Sequence, residues 1–178
     1  LISDIVRVLR DENGGTPYEV TPAELLELVA AKAQPAAREA GVLFEVHGTA
    51  PGVLSHRQAN LIMLILDNLI ANALEATPRG KAASLHLAAQ GEALRFEVRD
   101  QGLGFPEELR PSLFTPGRSS KPAGSGIGLA ISKQLANHLG AALELARSTP
   151  QGCTFVLTLP IGGSCGGAAK SAKDHEDL

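Results

Sequence analysis

Aromatic residues are scarce in this chain of 178 residues, which has no tryptophan, one tyrosine and five phenylalanines. Proteins that bind single-stranded nucleic acid stack successive bases on aromatic side chains, so this composition disfavours that function. Lysine and arginine are scattered without a run, and the formal net charge is -3 at pH 7. The basic patch of a protein that contacts a phosphate backbone is therefore also missing, and we predict no nucleic-acid partner.

Cysteines and long apolar runs are equally few. Cys153 and Cys165 have no metal-ligand spacing and suggest no disulfide framework, which fits a reducing, cytoplasmic compartment. The longest run of large apolar residues, 61–66, ends at Asp67 and is far shorter than a membrane span. The chain begins at Leu1 rather than Met and has no signal sequence. We expect a fragment of a longer protein that does not itself contact a membrane, whether or not the parent protein is membrane-anchored.

Apolar periodicity predicts an α+β domain. Two capping boxes, beginning at Thr21 and Ser55, predict long helices that end near Gly41 and Pro78. Alternation and turn residues predict the other elements, which are a helix end at 1–11, strands at 42–47, 83–89, 94–98, 142–147 and 153–159, and a helix at 126–139. Strands that pair locally, with helices on one face, indicate a two-layer α/β sandwich with a mixed, mostly antiparallel sheet.

These elements also predict the organisation of the chain. We expect the end of a preceding helix and a linker at 1–15, one domain at 16–161 and a disordered tail at 162–178.

Three polar side chains interrupt the most apolar helix. Asn68, Asn72 and Glu75 lie at i, i+4 and i+7, so they share one stripe while aliphatic residues cover the rest of the helix. One interpretation is a solvent-facing strip on an amphipathic helix. The other is a ligand wall, because amides offer neutral oxygens to Mg²⁺ and both donors and acceptors to phosphates.

The segment Asp-Gln-Gly-Leu-Gly-Phe at 100–105 follows directly on a predicted strand. A turn closed by an Asx-type bond from Asp100 explains it without a ligand. Alternatively, the Asp100 carboxylate accepts a hydrogen bond from an exocyclic amine, while Gly102 and Gly104 let the backbone approach a flat base. The segment alone does not decide between the two.

A long loop without sustained periodicity precedes the last predicted helix, and such a loop in a compact domain is usually functional. Its Arg118, Ser119, Ser120 and Lys121 form either a surface turn or a lid of hydroxyls and cations over a triphosphate. The stretch Gly-Ser-Gly-Ile-Gly-Leu at 124–129 then opens a helix, where unpaired N–H groups favour phosphate. A plain glycine-rich helix entry is the alternative, and neither a Walker loop nor the dinucleotide fingerprint fits.

In their order, these segments resemble the catalytic ATP-binding domain of bacterial sensor histidine kinases. The paired asparagines, the Asp-x-Gly-x-Gly segment, Phe114 and the Gly-x-Gly-x-Gly segment look like the asparagine, first glycine, phenylalanine and second glycine boxes of that family. The Ser-Ser-Lys stretch and a glycine-containing strand at 152–155 also lie in the right places. The resemblance spans 18–160 and implies the Bergerat ATP-binding fold with a long ATP lid.

The resemblance implies a role for each position, with ATP and Mg²⁺ as cofactors. Asn72 would be the principal Mg²⁺ ligand, with Asn68 assisting at the metal or the phosphates, and these two amides would be the catalytic residues. Asp100 would bind the adenine amino group, and Phe114 would anchor the lid in an apolar pocket. The other implied nucleotide-binding positions are Glu75, Gly102, Gly104, Arg118, Ser119, Ser120, Lys121, Gly124, Ser125, Gly126, Ile127, Gly128, Leu129 and Thr154.

The resemblance also separates a kinase from a hydrolase. Related ATPases of the gyrase, mismatch-repair and Hsp90 kind have a glutamate at the position matching Asn68, where it acts as a base toward water, and an amide cannot accept that proton. Asp67 lies about 100° around the helix from the stripe and does not replace it. We therefore expect a protein histidine kinase of two-component signal transduction.

The resemblance implies that the helix end within 1–15 is the end of a dimerisation helix, and the acceptor histidine is expected outside this chain. No histidine here lies in the family's acceptor context, including His175 before Glu176 in the polar tail, so the chain alone should not autophosphorylate. Its partners would be the histidine-bearing domain of the same parent protein, a homodimer at full length, and a response regulator. An anti-sigma-factor-type serine kinase and a non-catalytic ATP sensor on the same fold remain as alternatives.

Overall fold

A five-stranded mixed sheet with helices on one face forms the body of the computed structural model, which describes residues 19–116 and 127–161. The strands are β1 (Glu19–Val20), β2 (Leu43–Thr49), β3 (Leu54–Ser55), β4 (Ala82–Gln90), β5 (Ala93–Arg99), β6 (Ala142–Thr149) and β7 (Gly152–Pro160). The helices are α1 (Pro22–Ala40), α2 (His56–Ala76) and α3 (Gly128–His138), with a 3₁₀ helix at Glu107–Ser112. The predicted α+β two-layer architecture is confirmed.

The sheet has the strand order β2-β4-β5-β7-β6. Only β2 and β4 pair in parallel among these five strands, and each of the other neighbours is antiparallel. The short strands β1 and β3 form a separate antiparallel pair beside α2. The prediction of a mixed, mostly antiparallel sheet is therefore correct.

Local capping explains where the long helices begin and end. Thr21 and Glu24 form the predicted capping box of α1, and Ser55 and Gln58 form that of α2. At the end of α1, Gly41 has φ 68, a left-handed conformation that glycine adopts without strain. These bonds involve only near neighbours in sequence, which is why the sequence patterns predicted them.

Helix α2 occupies the centre of the core. Its fully buried side chains pack against α1, α3, β4 and β5, and each buried leucine or isoleucine contributes roughly 1.5–3 kcal/mol of transfer free energy. By length and composition α2 is the one helix in the described ranges that is apolar enough to cross a membrane. Because its apolar side chains are mostly buried inside the domain, α2 has the placement of a core helix.

Several sequence predictions concern residues outside the described part of the chain. These are the helix end and linker at 1–15, the tail at 162–178 with His175, and the lid residues within 117–126.

Candidate functional site

The polar stripe of α2 contacts the first turn of α3. Asn68 is half-buried, and its Nδ2 donates a hydrogen bond to Oγ of Ser132 over 2.9 Å. Its Oδ1 lies beside Gly128, where an added Cβ would approach the oxygen to 2.4 Å. Asn72 follows one turn later and is also half-buried, whereas Glu75 is exposed. Asn68 therefore faces a second helix rather than open solvent.

The segment after β5 packs against the carboxyl end of α2. Oδ1 of Asp100 accepts hydrogen bonds from the N–H groups of Gly102, at 2.8 Å, and of Cys153, at 3.1 Å. The first of these is the Asx-type bond of the ligand-free interpretation. A Cβ on Gly102 would lie 2.7 Å from the carbonyl oxygen of Ala76, the last residue of α2. Asp100 is thus a fixed carboxylate beside the end of that helix.

Two further glycines permit close backbone contacts in the same region. Gly104 has φ 78, and its added Cβ would lie 2.3 Å from the carbonyl oxygen of Thr149. Gly152 has φ 136, and its added Cβ would lie 1.9 Å from the carbonyl oxygen of Asp100. Sequence reasoning attributed the glycines of 102–104 to a flat base. The contacts in the structure are with the backbone of the protein itself.

Helix α2 contacts both groups of residues. Asn68, beside α3, and Ala76, beside the Asp100 segment, are eight residues apart, which is about 12 Å at 1.5 Å per residue. Asn72 lies halfway between them. The first turn of α3 and the Asp100 turn, more than twenty residues apart in sequence, therefore contact the same helix about two turns apart.

Phe114 lies near the end of the first described range and packs against the hydrophobic core. The ammonium of Lys133, on α3, is 5.4 Å from the centroid of its ring and donates a hydrogen bond to the carbonyl oxygen of Leu143 over 2.8 Å. A cation over an aromatic face is attracted by the ring electrons. Phe114 thus contacts α3 through Lys133.

The first residues of α3 complete the described part of this end. Ile127 is the N-cap residue and makes no side-chain capping bond, while Gly128 and Leu129 form the first turn. The other predicted phosphate-binding residues, which lie outside the described part of the chain, are Arg118, Ser119, Ser120, Lys121, Gly124, Ser125 and Gly126.

The donor set of the described residues suits a metal held mainly by phosphates and water. Residues 19–116 and 127–161 contain no group of three or more His, Cys, Asp or Glu side chains that could hold a metal ion. Mg²⁺ usually keeps several waters and takes one or two protein oxygens plus phosphate oxygens. The half-buried amides of Asn68 and Asn72 fit that requirement, because they supply neutral oxygens without a carboxylate cage.

Asp67, the acid next to Asn68, has another partner. Its Oδ2 forms an ion pair with Nζ of Lys32, on α1. The carboxylate is therefore directed toward α1, in agreement with the prediction that Asp67 does not serve as a base at the stripe.

Thr154 is the predicted site residue that the sheet register separates from the amides. It lies directly beside Arg99 and Arg147 on the neighbouring strands, on the face of the sheet that carries no helix. Thr154 and these arginines line a cavity of about 320 Å³ there, which reaches Asp100 at the strand end. Because this cavity lies on the opposite face from Asn68, we leave Thr154 out of the nucleotide site proposed below.

The same open face contains a stacked histidine pair, with the ring centroids of His47 and His86 4.8 Å apart. Burial, most strongly, and then the positive charges of Arg99 and His47 lower the pKa of His86. The carboxylates of Glu97 and Glu45 act in the opposite direction. His86 is thus more readily neutral than an ordinary histidine.

Sequence reasoning missed Ser132 and Lys133. The spacing held a signal for Ser132, because it lies four residues after Gly128 and so shares the face of α3 that carries the glycine. Lys133 had no such signal, since a lysine on a helix is usually a solvated surface residue.

Comparisons with known proteins agree with this geometry. Residues 57–163 match the model of the family described as Histidine kinase-, DNA gyrase B-, and HSP90-like ATPase, and the chain belongs to this family. The Aerobic respiration control sensor protein ArcB of Escherichia coli (strain K12) is 33% identical over 147 residues, which cover 77% of this chain and 18% of ArcB.

Two solved structures share the fold. The mycobacterial sensor histidine kinase MprB superposes with a TM-score of 0.68 at 25% identity, covering 80% of this chain and 97% of that one. Full-length ShkA in complex with AMPPNP superposes with a TM-score of 0.72 at 27% identity, covering 89% of this chain and 35% of that one. The chain therefore has the ATP-binding catalytic domain of sensor histidine kinases, and it spans less than a fifth of the length of ArcB.

Proposed function

We propose that this domain binds Mg-ATP along α2 and donates the γ-phosphoryl group to a histidine on a separate dimerisation domain, in two-component signal transduction. The observation that carries the proposal is the placement of the Asp100 turn and the first turn of α3 against α2, with Asn72 between the two contacts in sequence. A nucleotide has its base at one end and its phosphates at the other. The site offers matching chemistry at each end.

The adenine end is assigned to Asp100. Two backbone N–H groups hold one oxygen of its carboxylate, so the group has a fixed direction before any ligand arrives. A carboxylate accepts hydrogen bonds and suits the exocyclic amine of adenine. Gly102 and Gly104 let the surrounding turn pack closely, because each makes a backbone contact that a side chain would block.

The triphosphate end is assigned to the amides of α2 and the first turn of α3. Asn72 would hold Mg²⁺ with Asn68 assisting, and the N–H groups of Ile127, Gly128 and Leu129 would face phosphate oxygens. Bound Mg²⁺ neutralises negative charge on the transferring phosphoryl group. The chain itself contributes positioning, which accounts for most of the catalysis in phosphoryl transfer.

The side chains around the stripe support transfer rather than hydrolysis. An amide at Asn68 cannot take a proton from water, and Asp67 is paired with Lys32. The proposed acceptor is a histidine of the parent protein, which as a dimer would pass the phosphoryl group to a response regulator. The names of ArcB and MprB as sensor proteins and the AMPPNP bound to ShkA support this assignment.

Nucleotide binding is tested first, by thermal unfolding of the chain in MgCl₂ with and without ATP. A ligand at 100 times its Kd stabilises the folded state by about 2.7 kcal/mol, which raises the Tm of a domain of this size by roughly 8 °C. Asn72→Ala should abolish that rise. Asn60→Ala is the matched control, since it removes a half-buried asparagine from the same helix away from the stripe. Tight Mg-ATP binding by Asn72→Ala would refute the assigned role.

Phosphoryl transfer is tested with radiolabelled ATP and two acceptors offered side by side. One is a pair of histidine-bearing dimerisation helices, and the other is a serine-bearing anti-sigma-factor antagonist. We expect label on the histidine helices only, stable to base and lost in acid. Label on serine would identify the serine kinase alternative. ATP binding without label on either acceptor would identify the alternative of a non-catalytic ATP sensor.

A further inference from the structure

One hydrogen bond joins the two helices at the proposed triphosphate end. Oγ of Ser132, on α3, accepts from Nδ2 of Asn68, on α2, over 2.9 Å. Ser132 is 1% exposed, and in the described part of the chain Thr77 is the other buried polar residue. A buried hydroxyl in a helix interface needs a partner. Here the partner is a side chain of the proposed site.

The amide of Asn68 is confined at its other end as well. An added Cβ on Gly128 would lie 2.4 Å from Oδ1 and 3.1 Å from Nδ2 of Asn68, so the amide rests directly on the glycine. Gly128 and Ser132 are four residues apart and share one face of α3. That face therefore contacts both ends of the Asn68 amide: the NH₂ group is bonded to the Ser132 hydroxyl, and the oxygen lies beside Gly128.

The two ends of an asparagine amide have opposite chemistry. The NH₂ donates hydrogen bonds to phosphate oxygens, whereas the oxygen accepts from water and binds cations. Because Ser132 engages the NH₂, the amide oxygen of Asn68 points away from that bond. This orientation suits a role at Mg²⁺ or a Mg²⁺-bound water rather than at a phosphate oxygen.

We propose that Ser132 is a positioning residue that orients the Asn68 amide for Mg²⁺-dependent ATP binding. The inference deepens the function proposed above and rests on it. Ser132 makes no contact with the nucleotide in this scheme. Ser132 acts through Asn68, so loss of its hydroxyl should change only the contribution of Asn68 to Mg²⁺-dependent ATP binding.

Ser132→Ala tests the inference in the 178-residue chain. ATP binding is measured by calorimetry over a series of Mg²⁺ concentrations. A buried hydrogen bond that loses one partner leaves the other group unsatisfied, and we expect the Mg²⁺ concentration for half-maximal ATP binding to rise about tenfold. A merely structural loss would lower binding at every Mg²⁺ concentration without moving this midpoint. The Tm should fall by only a few degrees, because the helix propensity of alanine offsets part of the lost hydrogen bond.

Two further variants serve as controls. Ser84→Ala removes a half-buried hydroxyl from the open face of the sheet and should leave the midpoint unchanged. Ser132→Thr keeps the hydroxyl and should retain the wild-type midpoint. If the extra methyl group prevents folding, the alanine variants carry the test alone.

A double-mutant cycle then asks whether Ser132 acts through Asn68. In an Asn68→Ala background, Ser132→Ala should cause no further loss of Mg-ATP affinity. Equal losses in both backgrounds, or a Ser132→Ala midpoint within about twofold of wild type, would overturn the positioning role. A wild-type chain that binds no Mg-ATP would overturn the proposed function itself, and the inference with it.

Discussion

Replacing Gly152 with alanine should destabilise the domain through one specific backbone contact. Gly152 has φ 136, and an added Cβ would lie 1.9 Å from the carbonyl oxygen and 2.8 Å from the carbonyl carbon of Asp100. These are backbone atoms, so no flexible side chain can move aside. The strand β7 or the turn after β5 must shift, which disturbs the bonds that join Asp100 and Cys153.

The expected loss of stability has two parts. A non-glycine residue in this sparsely populated region of φ costs roughly 1–3 kcal/mol, and insertion of a methyl group into a packed site costs about 1–3 kcal/mol more. The sum corresponds to a fall in Tm of roughly 10 °C for a domain of this size. Thermal unfolding followed by circular dichroism measures it.

Gly52→Ala is the matched control for the backbone conformation. Gly52 has φ 106, but an added Cβ there meets nothing within 4 Å, so only the first part applies. Gly152→Ala should therefore melt roughly 6 °C below Gly52→Ala. Equal melting temperatures would show that the close approach to Asp100 does not limit stability, and the packing argument would be wrong.

Two more predictions concern the site and the open face. Gly128→Ala should weaken Mg-ATP affinity about tenfold by displacing the Asn68 amide, yet change stability by less than about 1 kcal/mol because alanine favours the helix. Calorimetry and thermal unfolding of the same samples measure both quantities, and unchanged affinity would contradict the contact. The pKa of His86 is lower in the folded state than in the unfolded state. As the pH falls through the ordinary histidine range, the unfolded state therefore binds more protons than the folded state, and the free energy of unfolding decreases. Between about pH 7.5 and 5.5, the Tm of the wild type should thus fall more than the Tm of His86→Asn. Equal falls in Tm would refute the contribution of His86 to the pH dependence.

Much of the architecture could be predicted because its determinants are local. The capping boxes at Thr21 and Ser55 involve residues three apart, and the alternation in β5 reflects one dry and one wet face of a strand. The spacing of Asn68 and Asn72 likewise implies a shared stripe on any helix. Such features depend on helix and strand periods alone, so the amino-acid sequence by itself determined them, along with the family resemblance.

The tertiary structure alone decided what these local features contact. Ser132 lies 64 residues from Asn68, and no helical or strand period relates the two. Gly152 has a positive φ, and it needs space because the carbonyl group of Asp100, directly after β5, lies against it. The register of the sheet places Thr154 on the face opposite the amides. Each of these follows from the packing of separate elements, and packing geometry is set by the whole fold rather than by any one segment.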